Sequence, residues 1–215
     1  LVFPAGITAD GSSRRIYIAD TGANRIVVSS FDGEVLEVIG TGGQGLEDGG
    51  FEQASFNRPQ GLALDGNVLY VADRGNHAIR SIDFSAREVR RVAGTGEAAT
   101  ALMSPGPGLR TQLNSPWDLE VIHHRLYITM AGAHQMWRQD LHTGEIERFA
   151  GAGSPGLQDG TRSSAMLCQP SGITHDGVRL FFTDAGSSSI RWVYLPPASQ
   201  LSTWVTSDPL SIDAD

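Results

Sequence analysis

An all-β fold built from repeated four-stranded sheets is what this 215-residue sequence predicts, on three patterns that recur at one spacing. The first is a proline ahead of a short apolar run. It occurs in Phe3-Pro4-Ala5-Gly6-Ile7, Asn57-Arg58-Pro59-Gln60-Gly61-Leu62, Asn114-Ser115-Pro116-Trp117-Asp118-Leu119 and Gln169-Pro170-Ser171-Gly172-Ile173, and the prolines stand 55, 57 and 54 positions apart. The second is Ile18-Ala19-Asp20-Thr21-Gly22, Val71-Ala72-Asp73-Arg74-Gly75, Ile128-Thr129-Met130-Ala131-Gly132 and Phe182-Thr183-Asp184-Ala185-Gly186. The third lies between units, as Gly45-Leu46-Glu47-Asp48-Gly49 and Gly156-Leu157-Gln158-Asp159-Gly160. Similarity at a fixed period of this length marks a repeat architecture.

Residues 56–94 show what one unit contains. An apolar run over 61–65 ends in a turn, a strand covers 68–72, and Arg74-Gly75-Asn76-His77 reverses the chain. Strands over 78–84 and 89–93 follow, joined by a charged hairpin turn. Such a meander has two apolar faces and cannot bury both alone. Units stacked about an axis, as propeller blades, bury them and leave only short edges. A helical solenoid is excluded by the alternation in Leu69-Tyr70-Val71-Ala72 and by Gly and Pro inside every candidate helix. A parallel β-helix would repeat in shorter coils.

The units run over about 1–55, 56–112, 113–166 and 167–207, with a tail at 208–215. Strands are expected at 6–9, 15–19, 25–29 and 35–39 in the first unit, with Phe31-Asp32-Gly33-Glu34 as its outer hairpin. In the third they fall near 118–122, 126–130, 135–140 and 146–150. In the fourth they fall near 172–175, 179–183, 189–195 and 201–206, the last after the turn Pro196-Pro197-Ala198-Ser199-Gln200. The stretch 95–112, with Ser104-Pro105-Gly106-Pro107-Gly108, is expected as a mobile excursion from the rim, and the tail as a frayed end or the start of a further unit.

Composition narrows the function classes. All 16 basic residues are arginine, and the net charge of -8 argues against a nucleic-acid surface. No run is long and apolar enough to span a bilayer. A soluble chain is expected, with the cytoplasm the favoured compartment. Cys168, the one cysteine, has no internal disulfide partner and reads as a small buried hydrophobe. Beginning inside a repeat at Leu1 without a signal peptide, the sequence reads as a piece of a longer protein.

The repeat Pro-x-Gly-(apolar)-x-x-Asp, (apolar)-Tyr-(apolar)-Ala-Asp-x-Gly-x-x-x-(apolar)-Arg and a closing Val-Ala-Gly resembles the NHL repeat of β-propellers. Ser115-Pro116-Trp117-Asp118-Leu119, Met130-Ala131-Gly132-Ala133-His134-Gln135-Met136-Trp137 and Ser187-Ser188-Ser189-Ile190-Arg191 resemble the version fused to thioredoxin-like domains, whose plastid members add a phosphatase-like domain. The resemblance covers nearly all of 1–207. It implies a six-bladed propeller of which four blades are seen here. It also implies a thioredoxin-like domain as a fused partner, although no Cys-x-x-Cys occurs in this chain. An array left open would expose two blade faces and favour self-association.

Among individual residues, Asp20, Asp73 and Asp184 are expected to hold the turn after the second strand by accepting backbone N–H bonds, with Arg25, Arg80 and Arg191 as partners. His77 and His134 share a register and invite a metal site. Equivalent positions on neighbouring blades meet only near the axis, so an imidazole packed in a turn is preferred, and no metal or cofactor is expected. The Glu47-Asp48 and Gln158-Asp159 loops lack the oxygen spacing of a calcium loop and read as blade crossings. Arg58, Gln60, Trp117, Asp118, His134 and His175 are the candidates for a polar, aromatic-lined channel mouth, since Trp117-Asp118 stands where other units carry a small residue and glycine. The plainer reading has Trp117 filling a gap and Asp118 capping a turn.

No carboxylate pair, activated nucleophile or phosphate loop stands out. The expected function is therefore a non-catalytic protein-interaction or scaffold propeller that binds a protein or peptide. The alternative is a lyase- or hydrolase-type enzyme on the channel face, with or without a metal, using His134 or His175 with Asp118.

Overall fold

The computed structural model describes residues 1–195 and 209–210, and its regular elements are strands and single-turn 3₁₀ segments. Alternating apolar residues and tight turns produce four antiparallel meanders. Blade one is Ile7–Asp10, Arg15–Asp20, Arg25–Ser30 and Val35–Ile39. Blade two is Pro59–Asp65, Val68–Asp73, Ala78–Asp83 and Glu88–Ala93. Blade three is Pro116–Ile122, Arg125–Met130, Gln135–Asp140 and Glu145–Ala150. Blade four shows Pro170–His175, Arg179–Asp184 and Ser189–Tyr194, while the strand expected at 201–206 and the turn at 196–200 lie outside the described residues. The chain is an all-β, four-bladed β-propeller of the repeat type that the sequence predicts.

The connections differ from expectation. Gly49–Gly50, read as part of the first unit's loop, pairs with Glu88 and Val89 as a fifth strand on blade two. The expected mobile excursion at 95–112 is instead bonded in place. Gly106–Pro107 pairs with Ile146 and Glu145 on blade three, and Gly94 N–H donates to the Gly108 carbonyl at 3.0 Å. A Cβ on Gly108 would stand 2.9 Å from the carbonyl oxygens of Gly144 and Val92, so only glycine permits this approach. Within the tail, expected as a frayed end or the start of a further unit, Pro209–Leu210 pairs with Gly160–Thr161.

The core sits between blades. Tyr17, Val28, Phe56, Leu69, Val71 and Ile82 fill the first interface. Ala72, Ile79, Leu113, Leu126, Ile128 and Trp137 fill the second, and Tyr127, Met136, Phe149, Leu167, Leu180 and Phe182 the third. Neighbours in sequence alternate between interfaces, Leu126 and Ile128 on one side and Tyr127 on the other, as a period of two requires. The innermost strands of successive blades abut. A Cβ on Gly6 would lie 2.1 Å from the Gln60 carbonyl oxygen, and one on Gly61 would lie 2.4 Å from Cα of Asp118.

Candidate functional site

The turns after each second strand carry buried polar anchors. Asp73 accepts from Asn57 N at 2.8 Å, Asn76 Nδ2 at 2.7 Å and Arg80 Nη1 at 3.2 Å. Asp184 accepts from Cys168 N at 2.7 Å, Ser187 Oγ at 3.0 Å and Arg191 Nη1 at 3.1 Å. Asp20 accepts from Val2 N and from Arg25 Nε at 2.9 Å. Arg25 stands five residues after its aspartate, whereas Arg80 and Arg191 stand seven after theirs, and its side chain is 36% exposed where theirs are fully buried. Arg80 also donates to the Glu47 carbonyl and Asp48 Oδ1, both at 2.7 Å, and Arg191 to the Gln158 carbonyl and Asp159 Oδ1. The acidic loops thus serve as the far ends of buried arginines.

His77 and His134 occupy left-handed positions, with φ of 48° and 54°, at the ends of 3₁₀ turns. Each Nδ1 accepts a backbone N–H from the next blade, Ser115 N at 3.0 Å and Gln169 N at 3.1 Å. Asn24 Oδ1 makes the same link to Arg58 N at 3.0 Å. His134 therefore joins blades three and four and does not line the channel cavity with Asp118.

At the channel mouth, a cavity of about 240 Å³ is bounded by Gly6, Gln60, Gly61, Trp117, Asp118 and Ser171. Gln60, Trp117 and Asp118 meet there, whereas Arg58 and His175, expected beside them, do not line it. Asp118 bridges two blades, because Oδ1 accepts Leu119 N at 2.9 Å and Oδ2 accepts Ile173 N at 3.0 Å. Burial nevertheless raises its pKa to about 6, outweighing the two hydrogen bonds. Glu120, two residues on and so on the same strand face, is raised to about 7, first by burial and then by the Asp118 charge. His175 Nε2 lies 4.0 Å from Glu120 Oε1, and its Nδ1 accepts Gly177 N at 3.1 Å. A carboxyl that changes protonation near neutral pH beside an imidazole can act as a general acid or base.

Sequence reading missed Glu120. The corresponding positions in the other blades are Thr8, Ala63 and Thr174, so its charge was a departure visible in the register. It also missed Arg74, whose guanidinium lies over the Trp117 ring at 4.2 Å. Arg58 is exposed and adds its charge to that of Arg74. Among the described residues no three His, Cys, Asp or Glu side chains converge as a metal site, and no helix is long and apolar enough to cross a membrane.

The family model for the NHL repeat matches residues 1–28 and 56–80. NHL repeat-containing protein 2 of Gallus gallus is 36% identical over 219 residues, covering 91% of this chain and 30% of that protein. The chain thus spans under a third of the length of this curated relative. Among solved structures, a gluconolactonase of Xanthomonas campestris aligns at TM-score 0.63 and 18% identity, over 91% of this chain and 59% of that one. The virginiamycin B lyase of Staphylococcus aureus aligns at TM-score 0.61 and 18% identity, over 99% of this chain and 56% of that one. At such identity these likenesses show the fold. They overturn the expectation of a non-catalytic scaffold whose role is protein binding, which rested on the lack of a recognisable catalytic motif. Propellers of this shape include proteins named as lactonases and lyases, and a site collected from several inner strands leaves no contiguous motif.

Proposed function

We propose that this chain, a member of the NHL-repeat β-propeller family related to NHL repeat-containing protein 2, carries an acid–base catalytic site of hydrolase or lyase type on the inner strands of blades three and four. The observation that carries the reading is the Glu120–His175 pair beside Asp118. Glu120 exchanges the proton, His175 sits opposite as its partner, and Asp118 positions the inner strands while its charge tunes Glu120. The metal-dependent version of the reading lacks three converging ligands among the described residues.

The test is a turnover panel of aldonolactones, simple esters and quinupristin, the first and last prompted by the printed names of fold neighbours. Glu120→Gln and His175→Gln are each expected to lower kcat/KM by about 10²–10⁴-fold, the usual worth of general acid–base catalysis, with the fold intact. Unchanged turnover in Glu120→Gln, or none on any panel member, would overturn the reading.

The four blades belong, in the same proposal, to a six-bladed ring. Ile7, Val35 and Ile190 on the two end blades are 66%, 60% and 68% exposed, while Ile79, Leu126 and Ile128 between blades are fully buried. Hydroxyl-radical footprinting of the longer protein should show Val35 and Ile190 protected relative to this chain alone. Equal labelling refutes the extra blades.

A further inference from the structure

Beside the acid–base cluster lies a second cavity, of about 370 Å³, with a different chemistry. Its walls come from three blades. Arg74 enters from the turn of blade two, Ser115 and Trp117 from the start of blade three, and Ser171 from the start of blade four. Trp117 and Ser171 also line the channel cavity, so the two spaces adjoin. The space exists because the turn positions equivalent to Arg74 are Ala131 and Ala185, both small and both at its edge. Where blade two sends in a guanidinium, blades three and four leave room.

The positive charge in this space is unanswered. Arg74 is half-buried, with its guanidinium carbon over the Trp117 ring 4.2 Å from the ring centre, a cation–π contact that holds the charge at the cavity wall. The pKa of Arg74 is lowered, by burial first and by Arg58 second. Among the described residues neither arginine pairs with a carboxylate, although the chain as a whole has a net charge of -8. Arg74 lines the concave wall and feels the like charge of exposed Arg58 from outside it, a repulsion that a bound anion relieves. A guanidinium fork matches the two oxygens of a carboxylate, and Ser115 and Ser171 line the same cavity as additional polar residues.

We infer that the Arg74–Trp117 cavity binds the carboxylate of a small organic acid. Calling that acid a substrate or product rests on the acid–base reading above, but its binding does not.

Tryptophan fluorescence titration with gluconate and succinate tests it, with sodium chloride as the ionic-strength control and inorganic phosphate as the competing anion. Wild-type protein is expected to bind a carboxylate saturably, Arg74→Gln to weaken it at least about 10-fold, and Arg58→Gln about 3-fold, since Arg58 acts through charge alone. Arg74→Lys, which keeps the charge and loses the fork, should fall between, and serves if the glutamine variant fails to fold. Glu120→Gln should bind the acid as wild type does while losing turnover, so failure of catalysis and failure of anion binding read out separately. Equal affinity in the Arg74 variants, a signal reproduced by sodium chloride, or Arg74-dependent phosphate binding tighter than either acid overturns the inference.

Discussion

Blades two and three place their polar groups in opposite halves of the same sheet. In blade two the charge is in the turn: Asp73 and Arg80 are both fully buried and paired, and Arg80 reaches on to Asp48, while the inner strand carries Gly61 and buried Ala63 at the positions of Asp118 and Glu120. In blade three the equivalent turn is neutral. Met130 replaces the aspartate and fully buried Trp137 the arginine, with Trp137 Nε1 donating to Gln135 Oε1 at 2.9 Å. There the inner strand is charged instead, with Asp118 and Glu120. A blade needs a filled, satisfied turn, and either an ion pair or an aromatic residue supplies one. Asp118 serves the fold by accepting backbone N–H groups of blades three and four. The turn can be built without charge, however, and neither the turn nor that bridge calls for the second carboxyl, Glu120. That is the physical ground for assigning function there.

The comparison can be broken most severely in the turns. Arg80→Ala leaves Asp73 buried without its cation and should cost about 3–5 kcal/mol by chemical denaturation, as loss of one partner of a buried pair does. Trp137→Ala opens a cavity in the second interface and should cost about 3–4 kcal/mol, so the uncharged turn is nearly as indispensable as the charged one. If either variant lost less than about 1 kcal/mol, the two turns would not be equivalent solutions.

The channel strand should respond to pH instead. The folded pKa of Glu120 lies above its ordinary 4.5, so the native state holds the proton more tightly. That contribution is fully present below about 4.5 and is lost as pH rises through about 7. With the side chain 27% exposed, solvent screening reduces the effect to about 1–2 kcal/mol. Glu120→Gln should make the fall in stability across that window shallower, the remainder coming from Asp118 and Asp73, whose pKa values burial raises to about 6. Ala63→Gly in blade two should leave the slope as in wild type. Asp118→Asn removes the charge that raises Glu120, so the Glu120-dependent limb of any rate profile should move to lower pH. A limb that stays in place would dissociate the two carboxyls.

Smaller effects sharpen the picture. His77→Ala and His134→Ala each free one backbone N–H between blades, and each should cost about 1 kcal/mol in the same denaturation assay. Grafting the blade-three solution into blade two, as Asp73→Met with Arg80→Trp and Ala78→Gln, should cost less than Arg80→Ala alone, because no buried charge is stranded. A graft as damaging as the single change would show that the loop at Asp48 depends on Arg80 for its place.

The sequence by itself determined the blade. Its period, the alternation of apolar residues and the turn residues are local, and local patterns suffice to define strands and their order. It also singled out Trp117 and Asp118, because a break in a repeat shows against its copies. The fifth strands at Gly49–Gly50 and Gly106–Pro107, the arginines that end on Asp48 and Asp159, and the meeting of Glu120 with His175 were decided only by tertiary structure. Each joins residues dozens of positions apart in the chain. Which side chains face one another across two blades depends on how closely the inner strands approach, and no pattern within one repeat records that distance.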